Sequence, residues 1–141
     1  MKEKISSMGI IIAENQGLKK VLLLNSEGEW VFPKGHAEKN ETYIETVIRE
    51  IKEETGIKLR QNQCLGEIDE FKFYFEGEKA VKVIKVFLFK INLFENINFN
   101  KEEGFTDGQW FDLREGIKTL QHDDARGALK KAINVLVNVS N

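Results

Sequence analysis

The chain has 141 residues, with 21 Lys+Arg against 23 Asp+Glu and a formal net charge of -2. That balance excludes a strongly basic nucleic-acid binder, and a hydrophobic content of 41% excludes an acidic disordered tail. The length suits one domain over residues 1–141, since a chain of about 150 residues buries roughly 70% of its unfolded surface. Cys64 is the one cysteine, so no intramolecular disulfide forms and a reducing compartment is expected. No apolar run approaches the roughly 20 residues that span a bilayer, and the segment from Met1 to Ile5 lacks the apolar stretch of a secretory signal. The expectation is a soluble, cytoplasmic protein, monomer or homodimer, with no membrane and no long nucleic acid among its partners.

Met8 to Ala13 is short, apolar and β-branched, and reads as a buried strand. Val21 to Leu24 is a second strand, with Glu14 to Lys20 as the turn between them. Asn25 to Glu29 is a loop by composition. Trp30-Val31-Phe32 is a short apolar run stopped by Pro33, the only proline, and Lys34 to Asn40 reads as an ordered loop. From Thr42 to Glu54 the pattern turns helical, with Ile44, Val47, Ile48 and Ile51 on one stripe and Gly56 as C-cap. Leu65 to Phe75 and Ala80 to Ile91 are two long β-prone segments joined at Glu76-Gly77-Glu78, a hairpin. Asn92 to Gly108 reads as a long loop, of the kind that often carries function. Trp110-Phe111 is a short strand. A last helix starts at Asp123 or Asp124, with Ala125, Leu129, Ala132, Ile133 and Leu136 on one face. The mixture predicts an α/β protein, a mixed β-sheet covered by two main helices.

Chemistry concentrates between Gly35 and Ile57. At about 100° per residue, Glu50, Glu53 and Glu54 share a stripe of the helix about 120° from the centre of its apolar face. Their carboxylates repel one another and stand near the helix C-terminus, where the macrodipole disfavours negative charge. A solvated helix face is the plain alternative. A hard divalent cation such as Mg²⁺ or Mn²⁺, which seeks several oxygen ligands, resolves the conflict. Arg49 lies four residues from both Glu45 and Glu53 and can pair with either.

Gly35, Glu41, Arg49-Glu50-Ile51, Glu53-Glu54 and Gly56-Ile57 fall in one frame of 23 residues. This frame resembles the Nudix hydrolase box: Gly, five residues, Glu, seven residues, Arg-Glu-(aliphatic)-x-Glu-Glu-x-Gly-(aliphatic). The resemblance implies a Nudix-type α/β/α sandwich and hydrolysis of a nucleoside diphosphate linked to another moiety. It implies Glu50 and Glu54 as metal ligands, Glu53 as a ligand or as the residue orienting the attacking water, and the Gly35 carbonyl as a metal contact. Arg49 and Glu41 follow as orienting residues. Mg²⁺ or Mn²⁺ is the implied cofactor.

The flank Trp30-Val31-Phe32-Pro33-Lys34-Gly35-His36 is similar to that of diadenosine polyphosphate hydrolases, notably those that cleave diadenosine tetraphosphate asymmetrically to ATP and AMP. Lys34 and His36 are well placed for polyphosphate oxygens. A solvated lysine and a loop histidine bonding the backbone are the plain alternatives. Lys39-Asn40 departs from the family's frequent Pro-Gly, although Asn tolerates positive φ. Glu102-Glu103-Gly104 ahead of Trp110 resembles a segment of MutT-type members with one residue inserted. Glu103 is the better candidate for a further catalytic acid, with Glu102 and Asp107 behind it.

A base needs a flat apolar partner, for which Tyr74, Phe73, Phe105 and Trp110 compete. Phe71, Phe73 and Phe75 share one strand face. Lys82 and Lys85 lie on opposite faces of theirs. We assign Tyr74 and Lys85 to the substrate. His122-Asp123-Asp124 reads as a helix cap and Cys64 as inert packing. The competing functions are a MutT-like nucleoside triphosphate pyrophosphatase, an RNA 5′-pyrophosphohydrolase and a non-catalytic nucleotide sensor.

Overall fold

A computed structural model of the protein describes residues 2–140. The strands are β1 (Lys2–Asn15), β2 (Leu18–Ser26), β3 (Glu29–Val31), β4 (Lys34–His36), β5 (Cys64–Phe75), β6 (Ala80–Ile91) and β7 (Phe105–Asp112). The helices are α1 (Tyr43–Thr55), α2 (Leu113–Thr119) and α3 (Asp123–Ser140). The strands form one mixed sheet in the order β3-β2-β1-β6-β5, with β4 paired to β1 and β7 to β2. Among the described residues only β1 and β6 run parallel, and the other pairs are antiparallel.

Ile10, Ile11 and Ile12 are consecutive and fully buried, which a strand allows only when both faces are covered. Even-numbered Ile10 and Ile12 pack with Ile84, Val86 and Leu88 beneath Leu129, Ala132 and Leu136 of α3. Odd-numbered Ile11 and Ala13 pack with Phe87 and Phe89 beneath Val47 and Ile51 of α1. The expected α/β/α layering is therefore present. Gly9 makes the close approach of α1 possible, because a Cβ there would lie 2.6 Å from Ile51 Cδ1.

Several elements differ from the sequence expectation, among them β7, which begins at Phe105 inside the expected loop and runs to Asp112. β1 starts at Lys2, where alternating polar residues pair with β6 from Lys2↔Ala80 onward. The turn before β2 shrinks to Gln16-Gly17, both at positive φ, so Glu14 and Lys19 become cross-strand partners. Lys34–His36 forms a strand rather than a loop, because Pro33 ends β3 while its carbonyl still accepts from Gly9 N–H at 2.9 Å. The short helix α2 had no periodic signal to announce it. Among the described residues, no helix is long and apolar enough to cross a membrane.

Candidate active site

Helix α1 carries the carboxylates, and both of its ends are fixed by side chains. Thr42 caps the N-terminus in a reciprocal box: Glu45 N–H donates to Thr42 Oγ1 at 3.2 Å, and Thr42 N–H donates to Glu45 Oε1 at 2.8 Å. Gly56, at φ 77°, ends the helix in the left-handed conformation with its N–H on the Lys52 carbonyl. The following carbonyls are met by the segment before β7. Asn98 N–H donates to Thr55 O at 2.8 Å, Asn100 N–H to Glu54 O at 3.1 Å, and Asn100 Nδ2 to Glu53 O at 3.2 Å. Capping the helix thus delivers the single turn Lys101–Glu103 to the end of the acidic stripe.

One carboxylate oxygen each from Glu50, Glu54 and Glu103 lies within 4.8 Å of the others. Glu54 is only 3% exposed. Burial, and then the hydrogen bond and charge of Glu50, push its carboxyl up to about 9, against the backbone N–H of Lys34 that favours the anion. Glu103 is also raised, by partial burial and by the charges of Glu50 and Glu53. Asp107 is turned away: its carboxylate accepts from Gly108 N–H and Gln109 Nε2. Glu102 is absent from the cluster, and its N–H is held by Asn100 Oδ1.

Arg49 organises the surroundings. Its Nε and Nη2 hold Glu41 at 2.6 and 3.1 Å, Nη1 reaches Glu50 at 2.9 Å and Glu53 at 3.2 Å, and Nη2 donates to the His36 carbonyl at 3.0 Å. Glu41 also accepts from Thr46 Oγ1 and Glu38 N–H, and with Arg49 these bonds hold its carboxyl down at about 2. Glu53 faces Arg49 and stands outside the cluster of Glu50, Glu54 and Glu103. Gly35 packs so closely that an added Cβ would lie 2.1 Å from Glu50 Cδ. Asn40, in place of a glycine before Glu41, does take a left-handed φ of 70°.

The donor set suits a hard divalent cation. It consists of oxygens, all carboxylates, and the burial of Glu54 together with the nearness of Glu50 disfavours the anionic form that a cation would stabilise. A cleft of about 840 Å³ opens over them, lined also by Lys34, Gly35, His36 and Phe105.

Lys34 and Phe32 also line an adjoining cavity of about 330 Å³ on the α3 side of the sheet, with Trp30, Phe71, Phe73 and Lys82. Phe71, Phe73 and Phe75 share that face, as their pairing with Ile84, Lys82 and Ala80 requires. Burial and the nearby Lys82 ammonium pull the Lys34 ammonium below its usual range. Tyr74 and Lys85 line neither the cleft nor the adjoining cavity, and period-two alternation turns both to the α1 side of the sheet, away from that cavity. There Lys85 binds Glu70 at 3.1 Å and lies over the Tyr43 ring, while Tyr74 is 56% exposed. Trp110 packs edge-on against Phe94 and donates to the Glu95 carbonyl. Two contributors escaped the sequence. Asn100 gave no signal, and Lys82 was visible only as the alternative to Lys85.

Several known proteins are similar to this chain. The putative mutator protein MutT4 of Mycobacterium tuberculosis is 34% identical over 97 residues, 69% of this chain and 38% of that protein. This chain therefore spans well under half of that relative's length. The asymmetrical bis(5′-nucleosyl)-tetraphosphatase of Mus musculus is 27% identical over 120 residues, 84% of this chain and 80% of its own. A C. elegans Ap4A hydrolase, solved as a binary complex, superimposes with a TM-score of 0.77 at 24% identity, covering 96% of this chain and 98% of that one. The NUDIX domain family matches residues 3–132, nearly the whole chain, and so the chain belongs to the Nudix family.

Proposed function

We propose that the chain is a single catalytic domain that hydrolyses a phosphoanhydride of a dinucleoside polyphosphate, most specifically diadenosine tetraphosphate to ATP and AMP. The observation that carries this reading is the carboxylate cluster of Glu50, Glu54 and Glu103 beside Lys34 and His36 and next to an aromatic cavity. Likeness to the mouse tetraphosphatase supports the substrate class.

Glu50, Glu54 and Glu103 would hold Mg²⁺ or Mn²⁺, which supplies positive charge for the phosphate oxygens and acidifies water. The Gly35 carbonyl remains part of the proposed ligand set. Glu53, an exposed acid, accepts from Arg49 and would orient the attacking water. Arg49 fixes the directions of Glu50 and Glu53 through its bidentate hold on Glu41. Lys34 and His36, beside the acids, would meet the phosphates. One base enters the cavity against Phe73.

The test is incubation of diadenosine tetraphosphate with Mg²⁺ and identification of the products. ATP plus AMP is expected, and two ADP would refute asymmetric cleavage. Nucleoside triphosphate pyrophosphohydrolysis is the second reading, favoured by likeness to the mycobacterial mutator protein. The same assay on ATP and its deoxy counterparts decides between them.

A further inference from the structure

Two consecutive serines of β1 are buried, and they fare differently. Ser6 Oγ holds His36 Nδ1 at 2.9 Å. Ser7 is fully buried, yet among the described residues its Oγ has no hydrogen-bond partner. A buried hydroxyl without a partner costs free energy, so for packing alone an alanine would serve at least as well.

Strand register shows what Ser7 faces. It stands opposite Gly35 of β4, beside Lys85 of β6, and two residues before Gly9 on the same face. That face is the α1 side, because a Cβ at Gly9 would meet Val47 and Ile51. A Cβ at Gly35 would lie 2.1 Å from Glu50 Cδ and 2.3 Å from Glu50 Oε1. Opposite residues of an antiparallel pair point the same way, with Cβ atoms about 5 Å apart, so the Ser7 hydroxyl is a neighbour of the Glu50 carboxylate. Other polar groups near it are engaged elsewhere. Lys85 Nζ binds Glu70 at 3.1 Å. Thr46, buried one turn before Glu50, has its Oγ1 on Glu41 and on the Thr42 carbonyl. Glu50 keeps spare capacity: its Oε1 accepts from Arg49 Nη1 at 2.9 Å and its carboxylate bonds Glu54, whereas a carboxylate offers about four acceptor sites.

We propose that Ser7 is a positioning residue for Glu50, its hydroxyl donating to the Glu50 carboxylate when Glu50 leaves its bond with Glu54 to ligate a divalent cation. The metal-free fold then carries an unmet donor that the metal-bound fold uses. Ser7 steadies Glu50 from the sheet, as Arg49 does from the helix. A neutral donor suits the place, because it holds an anion without repelling the cation beside it. This rests on the reading of Glu50 as a metal ligand given above.

The experiment titrates the metal-free chain with Mn²⁺, followed by the free-ion electron paramagnetic resonance signal, and melts the same proteins in EDTA. Ser7→Ala should bind Mn²⁺ about tenfold more weakly than the wild-type chain. In EDTA it should melt at the wild-type temperature or above, because it removes a buried donor that has no partner there. A serine that only supports the fold gives the reverse pattern, a lower melting temperature in EDTA with Mn²⁺ affinity unchanged. Ser7→Cys, close in size but a weak donor, should bind Mn²⁺ with an affinity between those of wild type and Ser7→Ala. Unchanged affinity in Ser7→Ala overturns the proposal and leaves the ligand set standing, since the wild-type chain still binds the ion. Weaker binding together with a lower melting temperature in EDTA also overturns it, by making Ser7 a support of the fold. A wild-type chain that binds no Mn²⁺ refutes Glu50 as a ligand, and the role of Ser7 falls with it.

Discussion

The carboxylate cleft and the aromatic cavity share Lys34 and Phe32, yet they are assembled by opposite rules. Two of the three clustered acids of the cleft, with Gly35, His36 and Arg49, come from one continuous stretch, Gly35 to Glu54, folded so that helical spacing aligns the acids. The cavity draws Met8, Trp30, Phe73, Lys82 and Ala125 from five separate elements. A local motif fixes reaction chemistry with few residues. Selectivity is spread over cross-strand neighbours, where each side chain contributes less. Substitutions in the cleft should therefore fall on kcat, and substitutions in the cavity on KM.

The largest expected effect is at the buried acid. Glu54→Gln keeps the shape and removes the ligand charge, and kcat should fall by about a hundredfold or more with the fold intact by circular dichroism. Activity at the wild-type level would show that the ligand set is wrong. Arg49→Lys keeps the charge but cannot hold Glu41 bidentately while reaching Glu50 and the His36 carbonyl. A loss of about 10- to 100-fold in kcat is expected, with KM little changed. On the cavity side, Phe73→Ala should raise KM by about tenfold at nearly constant kcat, the size of one base–aromatic contact. Tyr74→Ala removes an equal ring from the other face of the same strand and should leave both constants alone. If Tyr74→Ala matched Phe73→Ala in steady-state kinetics, the separation of the two faces would fail.

Sequence reading succeeded where periodicity is local. The stripe Glu50/Glu53/Glu54, the Gly56 cap and the shared face of Phe71, Phe73 and Phe75 all follow from the 3.6 and 2.0 repeats. It could not tell which face of the β5–β6 hairpin looks toward α3, because that depends on the pairing of β6 with β1, from Lys2↔Ala80 to Ala13↔Ile91. Tyr74 and Lys85 were assigned to the substrate for that reason, while Phe73 and Lys82 line the cavity. Glu103 was one of three acids in a loop with no period, and the hydrogen bonds of Asn98 and Asn100 to the end of α1 bring it to the cluster. Asn residues in a polar loop carry no mark of that duty. Lys34 to His36 read as loop because a strand of three residues is too short to display alternation.

The smallest effect separates the two regions by stability rather than rate. An unfolded Glu54 titrates near 4.5, and in the folded, metal-free protein it titrates at about 9. Between those values the folded state holds more protons than the unfolded state, so stability falls as pH rises through this window. Glu41 acts in the opposite sense below 4.5: its folded value of about 2 makes the Arg49 pairing lose stability as pH drops. The melting temperature in EDTA should therefore decline from pH 5.5 to 8.5. Glu54→Gln should flatten that decline, whereas Phe73→Ala should lower the whole curve and keep its slope. Added Mg²⁺ binds the ionised carboxylates, so its stabilising shift should grow with pH in the wild-type chain. A wild-type curve that stays level in EDTA would mean that Glu54 is already ionised without a cation, and the strain that makes the cluster a metal site would not exist.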